Sequence, residues 1–203
     1  MMKKSNVFKS INENWIQVIT GPMFSGKTTE LLSFIERYSY AGIKTLGIMN
    51  ELDTRSNDDF IHSRNGHKLQ AIKVKKAEDI LDYVIKNELK NKVQIIAIDE
   101  VQFFDNEIIK VVKKLAKMKF IVICSGLDSD YNGNAFGPMP ELLAIADNVI
   151  KLTAICSVCG GAATKTYLTN HKKTKCVKTN PIIIGDTNMF EARCNKHFVY
   201  KTK

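Results

Sequence analysis

Residues 21–28 carry the strongest chemical signal in the chain. They follow the pattern G-x-x-x-x-G-K-[ST] of a phosphate-binding loop, in which backbone N–H groups and a helix N-terminus face an anion. Lys27 would reach the terminal phosphates of a nucleotide, and the Thr28 hydroxyl would ligate its Mg²⁺. The pattern predicts a nucleotide site formed by Gly21, Pro22, Met23, Phe24, Ser25, Gly26, Lys27 and Thr28.

Two consecutive carboxylates, Asp99 and Glu100, follow an apolar run over residues 93–98. A central parallel strand would deliver acids to its carboxyl end in this way. Asp99 would hold the Mg²⁺ or its waters. Glu100 would act as a general base, either for water, as in an ATPase, or for a substrate hydroxyl, as in a kinase.

Two short ligand pairs occur near the end of the chain, Cys156-x₂-Cys159 and Cys194-x₂-His197. Together they complete a tetrahedral zinc site with no open position, which indicates a structural role. His171 and Cys176 are alternative fourth ligands, although neither has a partner at this spacing. Free thiols remain a further alternative.

The residues that flank the loop predict the elements that position it. Residues 15–19 read as a buried strand, and residues 29–41 read as a helix with one apolar face. The alternation then continues with strands at 43–49, 93–98, 120–124 and 149–155 and helices at 77–89, 106–117 and 140–146. In the second helix the expected inward residues are Ile80, Leu81, Val84, Ile85 and Leu89.

This alternation predicts a parallel, right-handed α/β sheet over residues 15–153 and a small zinc-containing lobe over residues 154–200. Two connections stand out. The polar stretch 50–70 is long enough to have a function or to be disordered. The segment 126–137 is too rich in glycine for regular structure.

Composition limits the class of protein. With 203 residues, 44% apolar and 25% charged, the chain predicts a soluble domain with a small appendage. Its apolar runs are too short to cross a bilayer, and the N-terminus has no apolar region typical of a signal peptide. We therefore expect a cytoplasmic protein that does not bind a membrane. Because the cytoplasm is reducing, the five cysteines favour metal ligands or free thiols over disulfides.

The formal net charge of +9 is concentrated at the end of the chain. Residues 165–203 contain nine Lys and Arg against two Asp and Glu, a net of +7. A basic terminal segment can indicate nucleic-acid binding. We favour a solvated basic surface that attracts polyanionic nucleotides, and expect no nucleic-acid partner.

Taken together, the motifs resemble those of cellular-type (type II) thymidine kinases, in the order and spacing of that family over about residues 15–200. The matching segments are 21–28, the Asp-Thr-Arg of 53–55, the I-D-E-V-Q-F-F run of 98–104, Gly-Leu-Asp at 126–128, Phe-Gly at 136–137, and both zinc pairs. The resemblance implies a P-loop (RecA-like) α/β fold with a zinc-binding lasso lobe.

The resemblance also implies a reaction: transfer of the ATP γ-phosphoryl group, with Mg²⁺, to the 5′-hydroxyl of deoxythymidine. Glu100 matches the family's base, while Lys27 and Arg55 match its cations beside the phosphates. Implied nucleotide contacts also include Asp53, Asp99, Glu100, Val101 and Gln102. A homotetramer and feedback inhibition by dTTP are further implications.

In the family a lasso loop holds the thymine base. The matching base-lining positions are Met23, Phe103, Leu127, Tyr131, Phe136, Thr166 and Phe190. Two residues depart from the family's usual pattern: Phe190 stands where tyrosine is usual, and Tyr131 where phenylalanine is usual. The catalytic set is unchanged, so these departures bear on nucleoside affinity.

Two rival functions start from the same phosphate loop. In one, Glu100 activates water and the protein is an ATPase, for example a nucleic-acid motor that uses the basic tail. In the other, the zinc lobe is a nucleic-acid-binding ribbon and the nucleotide is a switch. Salt-dependent binding of DNA or RNA would support either rival, and its absence would count against both.

Overall fold

The computed structural model describes residues 14–53, 58–89, 92–169 and 189–200. The strands are β1 (Trp15–Thr20), β2 (Thr45–Asn50), β3 (Phe60–His62), β4 (Lys68–Val74), β5 (Ile95–Ile98), β6 (Ile121–Gly126), β7 (Asn148–Lys151), β8 (Ala154–Ile155), β9 (Ala162–Ala163), β10 (Lys165–Leu168) and β11 (Phe190–Arg193). The α-helices are α1 (Lys27–Ser39), α2 (Ala77–Lys86), α3 (Glu107–Lys117) and α4 (Met139–Ile145).

Within the described residues, seven strands form one sheet in the order β3-β4-β2-β5-β6-β1-β7. Every neighbouring pair is parallel except β3 and β4, which form an antiparallel hairpin at the edge. The central strand β5 is buried along its whole length because helices cover both faces of the sheet. The predicted parallel α/β fold is therefore confirmed.

Successive side chains of the central strands point to opposite faces of the sheet. Ile95 and Ala97 of β5 pack in the core that α1 covers, while Ile96 and Ile98 pack in the core beneath α2, α3 and α4. Complete burial of one such isoleucine side chain stabilises the fold by about 1.5–3 kcal/mol. The sheet is consequently a rigid base for the loops at its carboxyl edge.

The register of the central strands brings their carboxyl ends together. Thr20 at the end of β1 pairs with Gly126 at the end of β6, and Ile98 at the end of β5 pairs with Cys124 of β6. The segments that follow these three strands therefore emerge side by side. They are the phosphate loop, the acidic pair and the glycine-rich segment.

The chain after β7 forms two small antiparallel sheets, β8-β9 and β10-β11. Their shared core is small and consists of Ala154, Cys156, Ala163 and Ala192, with Cys194 packed against it. Such a core buries little apolar surface, so this lobe needs another source of stability.

The polar stretch 50–70, which we expected to have a function or to be disordered, contains β3 and the start of β4, which runs parallel to β2. Two other expectations were wrong in detail. The strand expected at 149–155 is two strands: β7 pairs with β1, and β8 pairs with β9 in the small lobe. Ile85 does not face the core; it is 55% exposed, because α2 presents Ile80 and Val84 inward.

A search of the described helices for membrane-spanning candidates finds none of sufficient length and apolarity.

The two isoleucines of α2 provide a matched test of the packing. Ile80→Ala should lower the free energy of unfolding by about 2–5 kcal/mol, because it leaves a cavity in the core. Ile85→Ala should change it by about 0.5 kcal/mol or less. Equilibrium urea unfolding at one protein concentration measures both, and equal losses would contradict the assigned orientation of α2.

Candidate active site and zinc centre

A single cleft of about 880 Å³ lies at the carboxyl edge of the sheet. Its walls come from the phosphate loop, the ends of β5 and β6, the β3–β4 hairpin and the small lobe. The predicted residues that line it are Met23, Phe24, Ser25, Gly26, Lys27, Thr28, Asp53, Asp99, Glu100, Phe103, Leu127, Tyr131, Phe136, Thr166 and Phe190. Its volume suits a nucleotide or a nucleoside.

The phosphate loop depends on two glycines. A Cβ at Gly21 (φ 150°) would lie 2.5 Å from the Leu152 carbonyl oxygen, so only glycine fits there. Gly26 (φ 84°) precedes α1 in the left-handed region, and no side chain caps the helix. The N-terminus of α1 is thus directed at the cleft with its positive dipole end, as an anion site requires.

Lys27 is buried within the loop that it completes. Its ammonium group donates a hydrogen bond to the Pro22 carbonyl oxygen (2.9 Å), and the Ser25 hydroxyl donates to the same oxygen (2.8 Å). These bonds close the loop around the lysine and hold its charge at the cleft. Gly21 and Pro22 themselves shape the loop and are not among the cleft-lining residues.

A hydroxyl and a carboxylate meet where Mg²⁺ is predicted. The Thr28 hydroxyl, in the first turn of α1, donates to an Asp99 carboxylate oxygen at 3.1 Å. Asp99 is buried at the end of β5, 71 residues further along the chain. Oxygen ligands of this kind are those that Mg²⁺ prefers, so the residues present fit the ion.

Glu100 has a backbone conformation that is unusual for its type. Its φ of 48° and ψ of 44° are left-handed, which costs a non-glycine residue about 1–3 kcal/mol. The chain changes direction at Glu100, and a short 3₁₀ helix, Val101–Phe103, begins at the next residue. As a result both Asp99 and Glu100 line the cleft, although residues adjacent in a strand would point to opposite faces.

Aromatic side chains form the part of the cleft beyond the acids. The rings of Phe103 and Phe136 meet edge to face at 6.1 Å, and those of Tyr131 and Phe190 are tilted at 6.5 Å. These pairs are contributed by segments far apart in the chain. The fold thereby gathers all seven predicted base-lining residues into one compartment.

The phosphate loop and the small lobe are directly bonded. The Met23 N–H donates to the Thr166 hydroxyl of β10 at 3.0 Å, across 143 residues of sequence. Thr166 is buried and also lines the cleft. The small lobe is therefore part of the site wall.

The four predicted zinc ligands converge in the small lobe. Their ligand atoms all lie within 4.8 Å of one another. Cys159 Sγ lies 3.8 Å from Cys194 Sγ, and His197 Nδ1 lies 3.7 Å from Cys156 Sγ and 3.3 Å from Cys194 Sγ. Tetrahedral bonds of 2.0–2.3 Å would give separations of about 3.6–3.8 Å, so these residues fit zinc.

One thiol of this cluster, that of Cys156, is also suited to metal binding by its pKa, whereas desolvation and the neighbouring thiols of Cys156 and Cys194 raise the pKa of Cys159. Hydrogen bonds from backbone N–H groups, first that of Cys194, lower the pKa of the Cys156 thiol to about 5. The thiolate is the form that binds metal. In contrast, burial in β6 raises the pKa of the Cys124 thiol to about 12, consistent with its interpretation as a core residue.

Some expected residues lie elsewhere. The Val101 side chain is packed in the core, and the Gln102 carboxamide faces Glu100 and Leu127; neither residue is among those that line the cleft. Arg55, His171 and Cys176 lie outside the described residues.

The β3–β4 hairpin contributes cleft residues that the sequence interpretation did not identify: Phe60, His62, Arg64 and Asn65. The Arg64 guanidinium carbon lies 4.9 Å from the centroid of the Phe24 ring, which links the hairpin turn to the phosphate loop. The signal that could have found them is the short alternation of polar and apolar residues over 68–71, which indicates a strand that returns after the turn.

A glycine loop with a buried lysine, a threonine–aspartate pair and a neighbouring glutamate define a P-loop nucleotide-binding enzyme of the α/β class. Comparison with known proteins narrows the class. The sequence model described as thymidine kinase matches residues 14–198.

Curated relatives carry the same name. Thymidine kinase of Mycoplasmoides gallisepticum is 45% identical over 97% of this chain and 85% of its own length. Those of Mycoplasma genitalium and Ureaplasma urealyticum are 46% and 42% identical over 94% and 97% of this chain, covering 86% and 87% of their own lengths. The chain belongs to the thymidine kinase family.

We predict about one zinc ion per chain, bound by the two ligand pairs. Cys159→Ala and His197→Ala should lose the metal because each removes one of four ligands. The controls Cys124→Ala and His171→Ala should retain it. The zinc content of the purified variants is measured by plasma mass spectrometry. If the His171 variant loses zinc and the His197 variant keeps it, His171 and not His197 is the fourth ligand.

Proposed function

We propose that this protein transfers the γ-phosphoryl group of ATP to the 5′-hydroxyl of deoxythymidine, and also of deoxyuridine, to give the nucleoside monophosphate for nucleotide salvage. The observation that supports this most directly is the arrangement of the cleft. Glu100, the phosphate-binding loop and the aromatic side chains of Phe103, Tyr131, Phe136 and Phe190 all line one cleft. A general base between an ATP site and a nucleoside site is what a nucleoside kinase needs.

Charge at the transferred phosphoryl group would be met by two cations. Lys27 is supported by its position inside the phosphate loop. Arg55 is proposed from its match to the family, since a guanidinium suits developing negative charge on phosphoryl oxygens. Mg²⁺, when bound, neutralises charge on the β- and γ-phosphates, and the Thr28 and Asp99 oxygens would hold it.

Glu100 would accept the proton of the attacking 5′-hydroxyl. Its carboxylate is almost buried, with the residue 6% exposed, and lines the cleft beside Asp99 and Phe103. Asp53 lines the same cleft and would contribute to the nucleotide site.

The thymine base would lie among Met23, Phe103, Leu127, Tyr131, Phe136, Thr166 and Phe190. Aromatic and methionine side chains suit the faces of a base and its methyl group. The rings of Tyr131 and Phe190 are neighbours, with centroids 6.5 Å apart, so the two departures from the family pattern fall at one place in the cleft.

The remaining parts of the proposal concern organisation. Residues 15–153 would bind the nucleotide, and residues 154–200 would form the lasso lobe that structural zinc stabilises. dTTP would act as a feedback inhibitor, since it combines a thymine base with a triphosphate and the cleft suits both. We further propose a cytoplasmic homotetramer, as the family resemblance implies.

Transfer from labelled ATP, with Mg²⁺, to a panel of nucleosides and a water-only control tests the activity. We expect labelled deoxythymidine and deoxyuridine, with purine nucleosides and deoxycytidine unlabelled. Phosphate release without any labelled nucleoside would favour the ATPase alternative. Salt-dependent binding of DNA or RNA in the same preparation would favour the rivals that use nucleic acid.

Glu100→Gln should reduce turnover by roughly 10²–10⁴-fold while binding of ATP and thymidine persists, because the base is removed and the shape is kept. Glu107→Gln is the matched control, since Glu107 pairs with Lys110 on the exposed face of α3. Steady-state kinetics and nucleotide binding measure both variants. Near-normal turnover in Glu100→Gln would show that Glu100 is not the general base.

A further inference from the structure

Gln102 is a buried polar side chain whose two functional atoms bind two different parts of the site. The residue is 2% exposed within the 3₁₀ helix that follows Glu100. Its Nε2 group donates a short hydrogen bond to a Glu100 carboxylate oxygen. Its Oε1 atom accepts a hydrogen bond from the backbone N–H of Leu127 at 3.0 Å.

The chain approaches Gln102 closely at two glycines. A Cβ on Gly126 would lie 2.5 Å from Gln102 Oε1, and a Cβ on Gly137 would lie 2.7 Å from the Gln102 carbonyl oxygen. Gly137 also has a left-handed φ of 50°. Two glycines from one connecting segment therefore make room for this one glutamine.

The contacts connect a carboxylate to the wall of the nucleoside compartment. Leu127 lines the cleft directly after β6, and Glu100 lines it directly after β5. Strand register sets the spacing of the two backbones, but it does not set the torsion angles of the Glu100 side chain. The Gln102 bridge fixes one carboxylate oxygen relative to the Leu127 backbone.

We propose that Gln102 is a positioning residue for the base: it holds the Glu100 carboxylate at a set distance from the nucleoside that rests on Leu127. A general base must be within hydrogen-bond reach of the proton it removes, and small displacements of such groups cost rate. This inference rests on the proposed kinase function. It replaces, for Gln102, the nucleotide contact that family resemblance implies.

Gln102→Met tests the bridge, because methionine has similar volume but makes neither hydrogen bond. We expect kcat for thymidine phosphorylation to fall roughly 10–100-fold. The KM for ATP should stay within about twofold, because the base acts on the nucleoside hydroxyl and the phosphate loop is untouched. A rise in the KM for ATP with kcat unchanged would instead identify Gln102 as a nucleotide contact and overturn the proposal.

A double-mutant cycle separates positioning from general structural support. In the Glu100→Gln background there is no base left to position, so adding Gln102→Met should reduce the residual turnover by less than about threefold. If the two losses multiply, Gln102 acts independently of Glu100, and the proposal is wrong. Residual turnover is followed with labelled ATP over long incubations.

Gly126→Ala provides a second variant that keeps the glutamine. The added methyl group would lie 2.5 Å from Gln102 Oε1 and displace the carboxamide, and it would also lie 3.0 Å from Met139 Sδ and from Val101 Cγ1, so the Glu100→Gln background is needed to isolate the effect on the base. We expect the same signature, a lower kcat with an unchanged KM for ATP, and the same lack of further effect in the Glu100→Gln background. This variant decides the question if Gln102→Met does not fold, and normal kcat in a folded Gly126→Ala protein would overturn the proposal.

The wild-type protein in the same assay separates the two levels of inference. Wild type that does not label thymidine contradicts the proposed function itself. Wild type that labels thymidine, with Glu100→Gln impaired and Gln102→Met unimpaired, contradicts only the positioning role.

Discussion

The parallel register of β1, β5 and β6 is the constraint on which the site depends. Apolar burial on both faces of the sheet holds these strands side by side, with Thr20 opposite Gly126 and Ile98 opposite Cys124. Since parallel strands end at a common edge, the phosphate loop, the acidic pair and the glycine-rich segment emerge together. Loss of this register would separate the phosphate site from the carboxylates even if every functional residue were kept.

Several residues around this edge have unusual backbone conformations, although positive φ also occurs outside the site, at Glu88 and Lys119 just beyond α2 and α3. Gly21, Phe24, Gly26 and Glu100 all have positive φ angles, and each belongs to the loop or to the acidic turn. Such conformations persist only where the surrounding structure over-determines them. Here the rigid strands and the packing around Gly126 supply that support, and in return two consecutive acids reach one cleft.

The small lobe also contacts the loops at the carboxyl edge of the sheet. Thr166 bonds to the Met23 backbone, and Phe190 packs beside Tyr131, so the lobe touches both the phosphate loop and the glycine-rich segment. Gly133 in that segment lies against Phe198, which directly follows His197. Because the lobe has a small apolar core, its Cys/His cluster is well placed to stabilise one wall of the cleft.

The sequence by itself indicated the phosphate loop, the acids at the end of a strand, the two ligand pairs that the fold brings into one Cys/His cluster, and the parallel sheet, because each is encoded by local spacing or local apolar pattern. Only the tertiary structure decided that the β3–β4 hairpin reaches the cleft, that Ile85 faces solvent, and that the Gln102 carboxamide connects Glu100 to Leu127. These depend on strand register, on helix rotation and on close backbone approach between segments distant in sequence. The close approaches around Gln102 leave no periodic signal along the chain, and the short alternation at the start of β4 indicates a strand without showing which site it borders.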